Sequence, residues 1–278
     1  MSSRLENEAS FEATNLGFLY RQFTRPKPLP TGVRLTDQVA IVTGSNVGLG
    51  LEACRQLLAL GLSQLVMAVR SQSKGETAAG PLRKQFPNSI ISVWVLDLES
   101  YDSIRAFVAR CTTLPRIDIA ILNAALMKPT YTTVPETGRE TTIQVNYLST
   151  ALLSILLLPI LRDKRIAGAP RPPVLSIVGS DLAWRVDIET RGQVLQQFER
   201  PEAYSQFPWY GRSKLLLTFF ISKLAEFVSP DDVIVNMPNP GTTKGTAFFR
   251  EFPTLAGKLV AVLQFLLARP VDVGASIL

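Results

Sequence analysis

Eleven residues, AIVTGSNVGLG from Ala40 to Gly50, constrain this chain more than any other stretch. The run Val39, Ala40, Ile41, Val42 is apolar and mostly β-branched, as a strand covered on both faces requires. Thr43 and Gly44 end it, glycines recur at 48 and 50, and a helical pattern follows over 51–58. The spacing is G-x-x-x-G-x-G, not the G-x-G-x-x-G of the general dinucleotide fingerprint, but the physical requirement is shared. Glycine permits the tight turn and lets a pyrophosphate approach the backbone. The helix N-terminus then offers free N–H groups and a positive dipole end. Glycine spacing alone also suits a plain structural turn. The strand before it, the helix after it and the α/β pattern beyond favour a nucleotide cradle built by Gly44, Asn46, Gly48, Leu49 and Gly50.

Composition narrows the chemistry. The chain has 278 residues, 46% hydrophobic and 19% charged, which suits one large α/β domain with a sizeable core. It contains no histidine, so Ser-His-Asp hydrolysis, His-ligated zinc and histidine acid/base catalysis are all excluded, and no metal site is expected. Cys54 and Cys111 fall in expected helices and read as small buried apolar residues in a reducing compartment. The net charge of +6 has no dense Lys/Arg run behind it, which argues against nucleic acid and for a solvated basic surface. The N-terminus lacks a charged segment followed by an apolar core, so no signal peptide is expected and the cytoplasm is the expected location.

Residues 1–37 read as a lead-in, with Pro26, Pro28 and Pro30 near its end and an apolar cluster of Phe18, Leu19, Tyr20 and Phe23 expected to pack on the domain. Residues 38–278 read as a single catalytic domain. Strands are expected at 39–42, 64–69, 89–96, 117–122, 174–178 and 233–237, and helices at 74–85, 100–111, 138–161 and 210–227. Such alternation predicts right-handed crossovers and a Rossmann-type doubly wound parallel sheet with helices on both faces. The apolar stretch 148–161 holds Pro159 and is too short for a membrane span, so a buried or dimer-facing helix is expected. The apolar stretch 255–267 carries Lys258 and Gln264 and reads as a substrate lid or an interfacial helix, the lid being favoured.

In such a sheet the C-terminal strand ends face the ligand crevice. Arg70 follows the second strand, and no acid precedes Glu76. A guanidinium matches a ribose 2′-phosphate, so NADP is favoured over NAD. Asp97, with Leu98 beside it, follows the third strand and either accepts from an adenine amino group or caps the next helix. Asn123 and Ala124 follow the fourth strand and either lie along a ribose or form a plain turn. Tyr210 and Lys214 stand one helical turn apart on one face. An ammonium beside a phenol is expected to lower the phenol pKa from about 10 toward neutrality, giving an acid/base without histidine. Ser180 closes VLSIVGS, where its hydroxyl can hold a carbonyl oxygen or cap a turn. Ser176 is a weaker candidate because it lies inside the strand pattern.

These residues, in this order, resemble the short-chain dehydrogenase/reductase family over roughly residues 35–275. Thr43, Gly44, Gly48 and Gly50 match its nucleotide turn. Asn123, Ala124 and Ala125 resemble its Asn-Asn-Ala-Gly motif, with Leu122 and Ala125 at the first and last positions. Asn146 matches the helix asparagine, Ser180, Tyr210 and Lys214 the catalytic serine, tyrosine and lysine, and Pro240 with Gly241 the Pro-Gly after the sixth strand. Tyr204 competes with Tyr210 but has Pro208 four residues on. The long interval from Ser180 to Tyr210 resembles the retinol-dehydrogenase-like branch, and the lead-in with NVGLGLEA resembles reductases of fungal secondary metabolism. The family usually has threonine four residues beyond the glycine. Here that position is Gly245, with Thr242, Thr243 and Thr246 nearby, and Thr243 is taken as cofactor-binding. The segment ending at Leu278 resembles the start of the family's last helix, so the C-terminal strand is expected to be missing.

The resemblance implies hydride transfer between nicotinamide and a hydrophobic ketone or secondary alcohol. Tyr210 would exchange the proton, Ser180 hold the oxygen, and Lys214 tune Tyr210 and bind ribose hydroxyls. Asn146 would hold a water linking Lys214 to solvent. A homodimer is left open. So are two other readings: a non-catalytic NADP-binding sensor, and a membrane-surface reductase of lipid-like carbonyls using residues 247–267.

Overall fold

The computed structural model describes residues 10–11, 14–28, 31–169, 171–244 and 268–278. The stretch 255–267, expected as a lid, lies outside them. Strand β1 (Val39–Thr43) is buried at all five positions. Its side chains alternate between two cores. Val39 and Ile41 join Ile104, Phe107, Leu153, Leu157 and Leu217 on one face. Ala40 and Val42 join Ala53, Leu58, Ala79 and Leu82 on the other. A strand with period two and no solvated face must be apolar throughout, which is why the run carries no polar alternation.

The remaining strands are β2 (Gln64–Val69), β3 (Ile90–Val95), β4 (Ile119–Leu122), β5 (Val174–Ile177) and β6 (Ile234–Asn236). All pair in parallel in the order β3-β2-β1-β4-β5-β6. The helices are α1 (Asn15–Phe23), α2 (Gly48–Ala59), α3 (Gln72–Gln85), α4 (Tyr101–Cys111), α5 (Thr141–Asp163), α6 (Gln206–Leu224) and α7 (Val271–Ala275). Helices α2 and α3 cover one face of the sheet, and α4, α5 and α6 the other. This is a Rossmann-type doubly wound sheet. Its strand order reverses between β1 and β4, where such sheets open a crevice. Among the described residues there is no seventh strand.

Differences from the expected bounds have local causes. Helix α6 starts at Gln206, four residues before the expected 210. Pro208 falls in its first turn, where a missing N–H costs no intrahelical bond. Helix α5 starts at Thr141 because Glu140 caps it, its carboxylate accepting from Thr142 N and Ile143 N at 3.0 and 2.9 Å. Burial holds that carboxyl above the usual range. Along α5, Leu153, Leu157 and Leu161 are fully buried while Ile155 is 51% exposed. By length and composition α5 could cross a membrane, yet half of its apolar window is buried inside the fold. Both cysteines are free and buried, as their composition suggested.

Candidate active site

A cavity of about 660 Å³ opens at the C-terminal strand ends. Gly44, Asn46, Gly48 and Leu49 line it from the turn between β1 and α2. Gly44 sits at φ +64°, and a Cβ there would lie 2.9 Å from Ala124 Cα. Gly50 does not line the cavity. A Cβ on it would come within 2.6 Å of both Asn123 Nδ2 and Gly44 O, so its part is close packing beneath the cradle. Asn123 Nδ2 donates to Thr43 O at 3.0 Å and Gly44 O at 3.3 Å, and Ala124 N donates to Thr43 Oγ1 at 3.0 Å. Asn123 and Ala124 line the cavity and also tie β4 to the glycine turn.

Arg70 stands at the rim, its Nη1 2.6 Å from Glu99 Oε1, with more than half of its side chain exposed. So exposed an ion pair contributes little stability, and the guanidinium can change partner cheaply. Asp97 lines the cavity and accepts from Glu99 N at 2.9 Å; it does not cap α4, a task that falls to Ser100. Leu98 lines the cavity beside it, its carbonyl accepting from Ser149 Oγ at 2.5 Å. Pro240, Gly241 and Thr243 line the far wall, where Thr243 bridges in parallel to Arg269.

Ser180, Tyr210 and Lys214 converge on this cavity. Ser180 caps the 3-10 turn Asp181–Arg185, accepting from Leu182 N at 3.3 Å, and its side chain hydrogen-bonds the Tyr210 hydroxyl. The turn reaches α6 because residue 211 is glycine, where a Cβ would lie 2.8 Å from Leu182 O. Lys214 is buried, its Nζ donating to Val178 O at 2.7 Å and lying 5.9 Å from the Tyr210 ring centroid. Here the expectation of a lowered phenol pKa needs correction. Burial pushes Tyr210 up to about 12, the Ser180 bond opposing it, and burial brings Lys214 down to about 8. The ammonium is turned to a backbone carbonyl, and desolvation outweighs the attraction it was expected to supply.

Asn146 does not line the cavity. It is fully buried in a π-helical turn, Gln144–Ser149, within α5. Its Nδ2 donates to Leu126 O at 2.8 Å and Ser213 Oγ at 3.1 Å, and its Oδ1 accepts from Leu126 N at 2.9 Å. Ser213 Oγ donates in turn to Tyr210 O at 2.7 Å. Asn146 thus joins the loop after β4 to the helix that carries Tyr210. The two competitors have other duties. Ser176 Oγ donates to Asn236 Oδ1 at 2.7 Å, linking β5 to β6, and Tyr204 Oη donates to Lys128 O at 2.6 Å.

Sequence reasoning missed two supports. Gln144, whose Nε2 donates to Glu99 O at 2.9 Å, and Ser149 hold the loop after β3, and only their polarity inside an apolar helix hinted at it. Phe18 of α1 lines the cavity, although the lead-in was expected only to pack on the domain.

The short chain dehydrogenase family matches residues 38–169. The short chain dehydrogenase virL of Hypocrea virens is 65% identical over 276 residues, spanning 99% of this chain and 81% of the relative. The short chain dehydrogenase opdN of Penicillium oxalicum is 46% identical over 289 residues, spanning 100% and 92%. In fold the chain is similar to a short-chain dehydrogenase from Sphingobium yanoikuyae in complex with NADPH (TM-score 0.60, 17% identity, covering 86% of this chain and 82% of that one). The chain belongs to the short-chain dehydrogenase/reductase family of oxidoreductases.

Proposed function

We propose that this chain is an NADP-dependent reductase that interconverts a hydrophobic ketone and its secondary alcohol. The observation that carries the reading is the meeting of Ser180, Tyr210 and Lys214 in one cavity with the glycine turn. The residues present fit a dinucleotide. Helix α2 has no side-chain cap at Val47, whereas Ser71 caps α3 and Ser100 caps α4, so the α2 N-terminus suits a phosphate. Arg70, Ser71 and Lys74 line the cavity at the end of β2 and suit a 2′-phosphate, with NAD the less favoured cofactor. Asp97 and Leu98 suit the adenine, Asn123 and Ala124 the ribose, and Pro240, Gly241 and Thr243 the nicotinamide end.

A nicotinamide held between the glycine turn and the wall of Pro240, Gly241 and Thr243 would supply the hydride for reduction of the carbonyl carbon. Tyr210, kept protonated by burial, gives its proton to the oxygen as that atom becomes an alkoxide. Ser180 holds the same oxygen. Lys214, charged below about pH 8, steadies the phenolate left on Tyr210 and orients the ribose hydroxyls. Asn146 positions α6 through Ser213 and Leu126. A protonated phenol at rest favours the reduction direction. The resemblance of the lead-in and NVGLGLEA to fungal secondary-metabolism reductases, with fungal relatives at 65% and 46% identity, supports a place in such metabolism. Residues 38–278 would form one catalytic domain working in the cytoplasm.

Incubation with NADPH and a panel of hydrophobic ketones tests the reading. NADPH oxidation with formation of the alcohol is expected. NADPH binding without oxidation across the panel would favour a cofactor-binding sensor instead.

A further inference from the structure

Helix α1 lies outside the Rossmann frame, yet it is bonded to both loops that build the reacting end of the cavity. Thr14 caps it, accepting from Gly17 N at 3.0 Å. Phe18, Arg21 and Gln22 share one face by their i, i+3, i+4 spacing. Gln22 is 3% exposed. Its Nε2 donates to Thr242 O at 2.8 Å and its Oε1 accepts from Thr242 N at 3.0 Å, a two-way clamp on the loop after β6. The fit is close enough that a Cβ on Gly241 would lie 2.6 Å from Gln22 Oε1. Arg269 secures the helix from the same side, donating to Gln22 O at 2.9 Å, to Thr24 O at 3.2 Å and to Arg21 O. On the other side Arg21 Nη2 lies 3.0 Å from Asp181 Oδ1, one residue from Ser180.

Between these anchors Phe18 lines the cavity with Ser180 and Tyr210, its ring 4.7 Å from the Arg185 guanidinium carbon. A half-buried ring held from two sides presents a fixed aromatic surface to whatever enters the cavity. Aromatic surfaces prefer aromatic partners in offset or edge-on contact. An aliphatic wall would give no such preference.

We propose that α1 is a built-in wall of the substrate site. Phe18 is its specificity-determining residue and selects flat, aromatic ketones, while Gln22 and Arg21 are positioning residues that lock the wall to the two reacting loops. The proposal rests on the cavity being a ketone site, and it names the class of ketone.

The test uses the full chain with Phe18→Ala, Phe18→Leu and Gln22→Ala. Each variant is first checked for an unchanged melting temperature. With NADPH, 1-tetralone and cyclopentanone are compared. For Phe18→Ala, KM for 1-tetralone should rise at least about tenfold, as for groups removed from an apolar specificity pocket. The rise in KM for cyclopentanone should be several-fold smaller, NADPH affinity should hold, and Phe18→Leu should fall between. Equal loss on both ketones, or none on either, overturns the proposal. Calorimetric titration of 1-tetralone in the presence of NADPH reads the same contact without turnover. If the parent chain binds 1-tetralone without reducing any ketone, weaker binding in Phe18→Ala keeps the wall and refutes the reductase reading; unchanged binding refutes the wall. In Gln22→Ala, amide hydrogen exchange should quicken together in residues 15–23 and 240–244. Faster exchange in 15–23 alone contradicts the clamp.

Discussion

Tyr210 and Lys214 show how burial can prepare two groups in opposite senses. Below about pH 8 Lys214 is charged even in the fold, whereas in the unfolded chain it stays charged up to its ordinary 10.5. Between these values the unfolded chain binds more protons, so stability rises with pH there, and the Lys214 contribution is lost as pH falls through about 8. Tyr210 works the other way. Its contribution is intact below 10 and is lost as pH rises toward about 12. Lys214→Met, which keeps the stem and removes the charge, should therefore flatten the rise in urea midpoint between pH 8 and pH 10. An unchanged rise would assign it to other groups. At Gly50 the argument is steric. A methyl there meets backbone and a bonded amide, neither of which can step aside. Gly50→Ala should cost about 1–3 kcal/mol in denaturant titration, as overpacking does, and weaken NADPH binding by disturbing the cradle.

At the scale of elements, the strands were the most legible part, because each is a short apolar run, and the four inner ones, β1, β2, β4 and β5, are buried on both faces. β2 appears within its expected bounds, and the others differ by a residue or two at either end. Helix starts were harder to see. Pro208 is tolerated in the first turn of α6, which therefore starts before the expected 210, and Glu140 caps α5 without any sequence signature of the usual Ser or Thr kind. The π-helical turn at Asn146 left no trace in periodicity, since its cause is a side chain bonded to a loop twenty residues away. Order along the chain brought Ser180, Tyr210 and Lys214 into one candidate site. The directions in which they point, and hence their pKa values, depend on packing that no spacing reveals. The start of α6 rests on an aromatic cluster: Trp209 meets Phe198 at 5.7 Å and Tyr204 at 5.3 Å between ring centroids. Trp209→Ala should cost about 3–5 kcal/mol of stability. It should also lower kcat more than NADPH affinity, because the support lost lies directly beside Tyr210. Equal losses in kcat and NADPH binding would contradict that assignment.

In the molecule as a whole, chemistry is divided between the two ends of one cavity. The β2 end carries Arg70, Ser71 and Lys74, and the β5 end carries Ser180 with the α1 wall behind it. Arg70→Ala should raise KM for NADPH at least about tenfold, the scale of a lost charge-assisted hydrogen bond, while KM for NADH changes little. The loss is compounded because Glu99, freed of its partner, then faces the phosphate. An equal effect on both cofactors would move the 2′-phosphate elsewhere. The lead-in was the least legible region: Gln22 and Phe18 reach loops more than a hundred and fifty residues away in sequence, and only the folded chain brings them together. The central claim is that Tyr210 supplies the proton in a cavity that binds NADP. Its most direct measurement is Tyr210→Phe assayed for both NADPH binding by fluorescence and NADPH oxidation with a ketone reduced by the parent chain. The account predicts binding close to that of the parent with turnover abolished. Full turnover in that variant would contradict it.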